Sequence, residues 1–186
     1  MAAPSPRPAE PAGEHDDARW FIALRPAPPA RLALHRLAKS LAARFGGRPV
    51  AADDAHLTLA FIGEAPRALE RPMREVVASL PGCGALVLNR LGSFDGRLLW
   101  IGPAEDPPWL ATIAQAVREG LTAIGAPFDR KRFVPHLTLV RRARPAGPGA
   151  IAQASRALQA IDCAPMSVSL VESVLQPGGS RYRYVD

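Results

Sequence analysis

The sequence has little cysteine, no long apolar run and no apolar block near its first residue. Its two cysteines, Cys83 and Cys163, stand far apart, in no spacing typical of a zinc site, a redox pair or a disulfide framework. No stretch approaches the roughly 20 apolar residues of a membrane-spanning helix. Residues 1–17 also lack the features of a secretory signal. We therefore expect a cytoplasmic protein that does not associate with a membrane.

The charge is moderately positive. Lys and Arg number 23 against 17 Asp and Glu, which gives a formal net charge of +6. A basic surface suits a polyanionic partner such as a nucleic acid. A sequence rich in Ala, Arg and Pro can equally reflect compositional bias in the source genome. The charge alone therefore does not separate nucleic acid from other anions.

Apolar periodicity predicts alternating strands and helices after a leader. Residues 1–18 are rich in Pro, Ala and acidic side chains, which is typical of a disordered segment. Gly63 ends the second predicted strand, Pro66 begins the following helix, and a loop at 92–96 joins a hairpin. This mixture predicts a mixed sheet in an α/β or α+β protein. Strands are predicted at 20–24, 56–62, 85–91, 97–102, 133–140, 166–175 and 182–185, and helices at 28–45, 66–80, 110–124 and 151–161.

One short segment occurs twice. His-Leu-Thr-Leu stands at 56–59 and again at 136–139, each time within an apolar strand pattern. Average residue usage makes a second copy by chance an event of about one in a thousand. Because side chains alternate along a strand, the His and Thr of each copy share one face while the two Leu point to the other. Each copy thus presents an imidazole beside a hydroxyl.

Paired imidazoles and hydroxyls suit cleavage of a phosphodiester. If the two halves of the fold are related by a pseudo-two-fold axis, His56 and Thr58 face His136 and Thr138 across one groove. One neutral imidazole removes a proton from water, and the other, protonated, donates to the leaving oxygen. The Thr hydroxyls donate to phosphate oxygens. A metal is the poorer fit, since each strand offers one good ligand with no carboxylate or second His beside it.

These motifs, with several further segments, resemble the 2H phosphoesterase superfamily. The match is specifically to its bacterial and archaeal RNA 2′,3′-cyclic phosphodiesterases, formerly called 2′-5′ RNA ligases. It covers nearly all of the chain from Arg19 onward. The segments that carry it are Trp-Phe-Ile-Ala-Leu at 20–24, His-Leu-Thr-Leu-Ala-Phe-Ile-Gly-Glu at 56–64, Leu-Trp-Ile-Gly at 99–102, Arg-Phe-Val-Pro-His-Leu-Thr-Leu-Val-Arg at 132–141, and Glu172-Ser173.

The resemblance implies a fold, a partner and an activity. The fold is α+β, with two pseudo-symmetric lobes in residues 19–186, each a mainly antiparallel sheet flanked by helices, and a central cleft. The activity is hydrolysis of the terminal 2′,3′-cyclic phosphate of RNA to a 2′-phosphate, without metal or organic cofactor. The partner is an RNA end that carries the cyclic phosphate, and the protein is expected to be a monomer.

The resemblance also implies roles for individual residues. His56 is the general acid, His136 the general base, Arg141 grips the phosphate, and Phe61 lies against the nucleobase. Phe61 and Arg141 each follow their His by five residues, an odd offset that puts them on the wrong strand face unless a bulge intervenes or the strand ends. Two further arginines follow, at 142 and 144, so the sequence does not decide which of the three binds the phosphate.

Other interpretations remain at this point. The chain can be a module that holds RNA ends without turnover, or an enzyme for another cyclic phosphate or a 2′-5′ linkage. His35 is expected to be structural, and Trp20 and Trp100 are expected in the core. Residues 181–184, Arg-Tyr-Arg-Tyr, either flank single-stranded RNA or protect an edge strand from aggregation.

Overall fold

The computed structural model describes residues 16–176 and 179–185. Within these ranges the chain forms ten strands and four α-helices. Residues 1–15 of the predicted leader, residues 177–178 and Asp186 lie outside them. In chain order the elements are β1 (Asp17–Pro26), α1 (Pro28–Phe45), β2 (Arg48–Pro49), β3 (Leu57–Pro66), α2 (Glu70–Ala78), β4 (Val87–Leu88), β5 (Arg90–Phe94), β6 (Leu98–Gly102), α3 (Pro108–Ala123), β7 (Leu137–Arg141), α4 (Pro148–Arg156), β8 (Ile161–Asp162), β9 (Met166–Gln176) and β10 (Gly179–Val185).

One antiparallel sheet dominates the described structure. Its strand order is β10-β9-β1-β3-β7-β6-β5, with β2 paired to β7, and β4 and β8 form a separate pair. The strands from β10 to β3 form one half and those from β7 to β5 the other. These halves meet at a single residue pair, Leu57 with Leu137. The two His-Leu-Thr-Leu segments therefore meet at the centre of the sheet. The α+β prediction is confirmed, but the prediction of a mixed sheet was wrong, because all strand pairs in the described residues are antiparallel.

The helices cover one face of this sheet and leave the other open. Helix α1 packs against β7, α2 against β9, α3 against β3 and α4 against β5. The side chains of Leu57, Leu59, Leu137 and Leu139 are all buried in the core with these helices. Because strand side chains alternate, the His and Thr of both motifs face the open side. Burial of the leucines thus fixes which face carries the polar groups.

The strand that carries the first motif is longer than the sequence predicts. Strand β3 continues through Gly63 to Pro66, where residues 65–66 pair with Asp17 and Ala18 of β1. Gly63 lies beside a register shift with φ +82°, so it forms part of a bulge and does not end the strand. Helical structure begins directly after Pro66, as a 3₁₀ turn over Arg67–Leu69 that leads into α2 at Glu70, so the predicted helix start at Pro66 is confirmed. The same pairing starts β1 at Asp17, two residues before the predicted boundary at Arg19.

Three of the other differences in boundaries have a direct physical reason. The second motif's strand begins at Leu137 and not at Phe133, since Pro135 supplies no N–H for a ladder. The hairpin loop is shorter than predicted, because β5 extends to Phe94 and β6 begins at Leu98. Asp95 and Gly96 both have positive φ, which is the backbone conformation of a tight type I′ hairpin turn. Helix α4 ends at Arg156, well before Ile161, which pairs in β8.

Candidate functional site

The two motifs lie side by side on the open face of the sheet. Leu57 of β3 pairs with Leu137 of β7 in antiparallel register. Continuing this register by one residue in each direction sets His56 opposite Thr138 and Thr58 opposite His136. The two imidazoles are then diagonal neighbours, a relation that brings Cβ atoms to roughly 7–8 Å and side-chain tips into reach of one another. One bound group can therefore touch both pairs.

Both imidazoles are held by the same local contact. Nδ1 of His56 lies 2.7 Å from the carbonyl oxygen of Asp54, and Nδ1 of His136 lies 2.8 Å from that of Val134. A carbonyl only accepts, so each Nδ1 carries the proton and donates it. The contact sets the ring orientation and, in the neutral ring, places the free lone pair on Nε2. Both motifs thus present the same tautomer.

Matching bulges bring Phe61 and Arg141 to this face. The pairing of β1 with β3 skips a residue between Thr58 and Ala60, and the pairing of β6 with β7 skips one between Thr138 and Val140. Two successive residues are consequently buried in each strand, at 59–60 and at 139–140. The alternation reverses, and the residue five after each His shares its face. The bulge that the sequence required is present in both motifs.

A cleft of about 600 Å³ lies over these residues. Both Thr, His56, Phe61 and Arg141 line it, whereas His136 is not among its lining residues and packs against Phe94 and Trp100. Burial is the main cause of the lowered pKa of both histidines, and the charge of Arg141 lowers each further. The arginines at 142 and 144 are exposed outside the cleft. Of the three candidates, the geometry selects Arg141 as the one that can meet a group in the cleft.

The surroundings of both imidazoles favour their neutral form. Burial, followed by the charges of Arg141 and His136, lowers the pKa of His56 to about 4. Burial and Arg141 also lower the pKa of His136. The Nδ1 contacts with backbone carbonyls oppose both changes but do not cancel them. Near neutral pH both rings are therefore uncharged.

This low pKa makes stability depend on pH. Between about pH 6.5 and pH 4 the unfolded chain protonates His56 and the folded protein does not, so stability is complete above 6.5 and falls as the pH drops. On going from pH 7 to pH 5, we expect wild type to lose about 2 kcal/mol more than His56→Gln does. Urea denaturation of both proteins at the two pH values measures this. Equal losses would show that His56 is not held neutral by the fold.

Aromatic rings that the sequence did not predict surround both imidazoles. The rings of Phe21 and Tyr182 lie 4.8 and 5.1 Å from that of His56. Phe94 lies 4.8 Å from His136, edge to face. Tyr182, from the alternating Arg-Tyr segment 181–184, lines the cleft. One residue of that segment therefore belongs to the candidate site. Nothing in the local sequence identifies Phe21 or Phe94, since only the pairing of distant strands places them here.

Strand β10, which carries Tyr182, is anchored by a buried carboxylate. Glu172 of β9 accepts hydrogen bonds from Arg67 at 2.5 Å and from Arg183 at 2.7 Å. Although burial acts to raise the pKa of Glu172, the two guanidinium groups lower it overall. The pair with Arg183 joins β10 to β9, whereas the pair with Arg67 joins β9 to the turn that follows β3. Tyr182 faces His56. Glu172 is thus structural, while its neighbour Ser173 lines the cleft.

Trp20, Trp100 and His35 lie where the sequence predicts them. Trp20 and Trp100 are buried. His35 contacts the carbonyl oxygen of Val50 at 2.8 Å through Nδ1, a structural role. Both cysteines are free. Within residues 16–176 and 179–185, no three His, Cys, Asp or Glu side chains form a group that could hold a metal ion.

The open sheet face with two matched His-x-Thr sets defines a phosphoesterase-like site, and comparison with known proteins identifies the family. The chain belongs to the 2′-5′ RNA ligase superfamily, whose model matches residues 26–176. This confirms the resemblance drawn from the motifs. The match includes both His-Leu-Thr-Leu segments and Arg141.

Curated relatives carry one name. RNA 2′,3′-cyclic phosphodiesterase from Escherichia coli K12 is 35% identical over 99 residues, which are 52% of this chain and 56% of that protein. The protein of the same name from Geobacillus stearothermophilus is 30% identical over 131 residues, 66% of this chain and 41% of that one. The matched segments thus span about half the length of these two relatives.

Solved structures share the fold over nearly the whole chain. The crystal structure of E. coli LigT complexed with 3′-AMP superimposes with a TM-score of 0.74 at 25% identity. The match covers 91% of this chain and 96% of that one. The arrangement of sheet and helices is therefore the one that this family uses.

Proposed function

We propose that this protein hydrolyses the terminal 2′,3′-cyclic phosphate of RNA to a 2′-phosphate. The observation that supports the proposal is the pairing of the two His-Leu-Thr-Leu segments at the centre of the sheet, with Nδ1 of each His engaged by a backbone carbonyl. The name shared by the curated relatives, RNA 2′,3′-cyclic phosphodiesterase, supports the same substrate class. Arg141 adds the positive charge that an anionic phosphate requires.

The proposed reaction needs one acid and one base. His136, neutral at Nε2, removes a proton from water as the water oxygen bonds to phosphorus. The bond from phosphorus to O3′ breaks, and His56 donates its Nε2 proton to that oxygen. The product carries a phosphate on O2′ and a hydroxyl at O3′. One more proton transfer through solvent returns both imidazoles to their starting states.

Neutral donors and one cation complete the proposed site. The hydroxyls of Thr58 and Thr138 donate to the non-bridging phosphate oxygens, each beside the imidazole of the other motif. Arg141 neutralises the charge on the same oxygens. Phe61, 37% exposed, offers a ring face to the nucleobase, and Arg19 lies over that ring at 5.1 Å. The base would enter beside this guanidinium.

His56 must gain a proton to act as an acid. In the free protein its pKa is about 4, chiefly because of burial. An anionic phosphate beside Nε2 favours the protonated ring and offsets the charge of Arg141. We expect a nucleoside 2′-phosphate to raise the pKa of His56 towards its ordinary value. Titration of the imidazole ¹⁵N signals with and without this product measures the change, and an unchanged pKa would contradict the acid assignment.

The direct test uses RNA that ends in a 2′,3′-cyclic phosphate. Incubation with the pure protein in EDTA should yield one product, with its phosphate on O2′, because the assigned acid serves O3′. Binding without product would favour the rival module that only holds RNA ends. A 3′-phosphate product would show that the other oxygen leaves. Loss of turnover in EDTA with recovery on adding a divalent metal would contradict the metal-free mechanism.

We further propose that the protein acts as a monomer in the cytoplasm. Each half of one sheet supplies one His-Thr pair, so a single chain completes the cleft. Both free cysteines fit a reducing compartment. In the described part of the chain, no helix has the length and apolar character needed to cross a membrane. Light scattering during size exclusion tests the oligomeric state, and a stable dimer would contradict the proposal.

A further inference from the structure

Two phenyl rings are exposed, and both lie beside the catalytic motifs. All six Phe residues of the chain fall in the described ranges, and only Phe61 and Phe94 are exposed, each by 37%. Phe61 follows the first His on its own strand. Phe94 ends β5 and contacts His136 of the second motif. The proposed function uses the first ring and leaves the second without a role.

The ring of Phe94 packs against the indole of Trp100, which has its own place in the hairpin. The indole of Trp100 lies 5.5 Å from the Phe94 ring with the ring planes tilted by 34°. Gly92 makes room for that indole, since a Cβ there would stand 2.2 Å from the Trp100 ring. The turn at Asp95 and Gly96 holds the strand end that carries Phe94. The ring is thus backed on one side and open to solvent on the other.

Positive charge accompanies these two rings. The guanidinium of Arg90 lies 5.1 Å from the centre of the Trp100 ring, and Arg97, beyond the turn, is exposed. Aromatic rings combined with cations are the pattern by which proteins bind single-stranded nucleic acid, the bases stacking on rings and the phosphates meeting the cations. If Phe94 served only to pack against His136, its ring would not need a solvent-exposed face.

We infer that Phe94, backed by Trp100, is a second nucleobase subsite for a nucleotide of RNA beyond the terminal one. The inference rests on the proposed function, because it takes RNA as the ligand. The terminal base occupies Phe61, the cyclic phosphate lies between the two histidines, and the next base stacks on Phe94. That base belongs either to the preceding nucleotide of the same strand or to a second strand.

Equilibrium binding of reaction products tests the inference without turnover. The probes are a nucleoside 2′-phosphate and an RNA trinucleotide that ends in a 2′-phosphate, measured by calorimetry. A third measurement adds a trinucleotide with a 5′-hydroxyl and no phosphate to protein saturated with the mononucleotide. Wild type should bind one of the trinucleotides tightly. Phe94→Ala should weaken that binding by about 5- to 150-fold, and mononucleotide binding by a much smaller factor.

Two further variants separate stacking from packing. Phe94→Tyr keeps the ring and should bind like wild type, while Phe94→Leu keeps apolar cover for His136 and should behave like Phe94→Ala. The affected trinucleotide identifies whether the base comes from the same strand or a second one. Equal losses for mononucleotide and trinucleotide, or none for either trinucleotide, would overturn the subsite. If wild type fails to hydrolyse the cyclic phosphate yet shows Phe94-dependent binding, the proposed function fails and the subsite stands.

Discussion

Replacing either motif histidine should lower kcat by about 10²- to 10⁴-fold, because each removes one proton-transfer group from the transition state. His56 and His136 occupy equivalent places, with Nδ1 bound to a carbonyl two residues earlier. The loss should therefore be similar for His56→Ala and His136→Ala. Steady-state kinetics on RNA with a terminal 2′,3′-cyclic phosphate measures it. Near wild-type turnover in either variant would contradict the acid-base pair.

A matched variant separates lost chemistry from lost structure. In His56→Asn the side-chain amide can still donate to the carbonyl of Asp54, as Nδ1 does, but cannot transfer a proton. It should fold like wild type and remain as inactive as His56→Ala. His35→Asn, outside the cleft, should retain turnover. If His56→Asn regained activity, the ring of His56 would serve packing and not proton transfer.

Loss of Arg141 should lower kcat/KM by about 10²- to 10³-fold, as removal of a preorganised charge from a transition state does. Its guanidinium is the cation whose field reaches both imidazoles. Arg141→Lys should recover part of the loss, since the ammonium group keeps the positive charge but not the two parallel hydrogen-bond donors of the guanidinium group. Arg142→Ala is the matched control, because that neighbour is exposed outside the cleft.

Two results would contradict this role for Arg141. Equal losses for Arg141→Ala and Arg142→Ala would show a general effect of surface charge on RNA affinity. A loss that disappears at high salt would show the same, because interactions between exposed charges are screened. In our account the effect of Arg141 persists, since that side chain is half-buried at the end of β7.

The sequence predicts the polar face of the site well, because that face follows from local alternation. Two buried leucines in each motif force His and Thr to the other side. The bulges were required by the odd spacing of Phe61 and Arg141, but their position depends on how β1 and β6 pair with the motif strands. A pattern within one strand does not encode that pairing.

Contacts between distant strands account for what the sequence did not predict. Glycine is typical of a strand end, but the pairing of β1 continues the strand past Gly63 to Pro66. Tyr182 and Phe21 reach His56 only because β10, β9, β1 and β3 are neighbours. The low pKa of His56 likewise comes from burial and from Arg141, which lies far away in the chain.

The pH dependence of turnover in wild type and the two histidine variants tests the account most directly. We expect wild type to give a bell-shaped profile of kcat. His136→Ala should lose the limb that rises with pH, which reports deprotonation of the base. His56→Ala should lose the limb that falls, which reports deprotonation of the acid. A variant that keeps both limbs, or an exchange of the limbs between the two variants, would contradict the assigned roles.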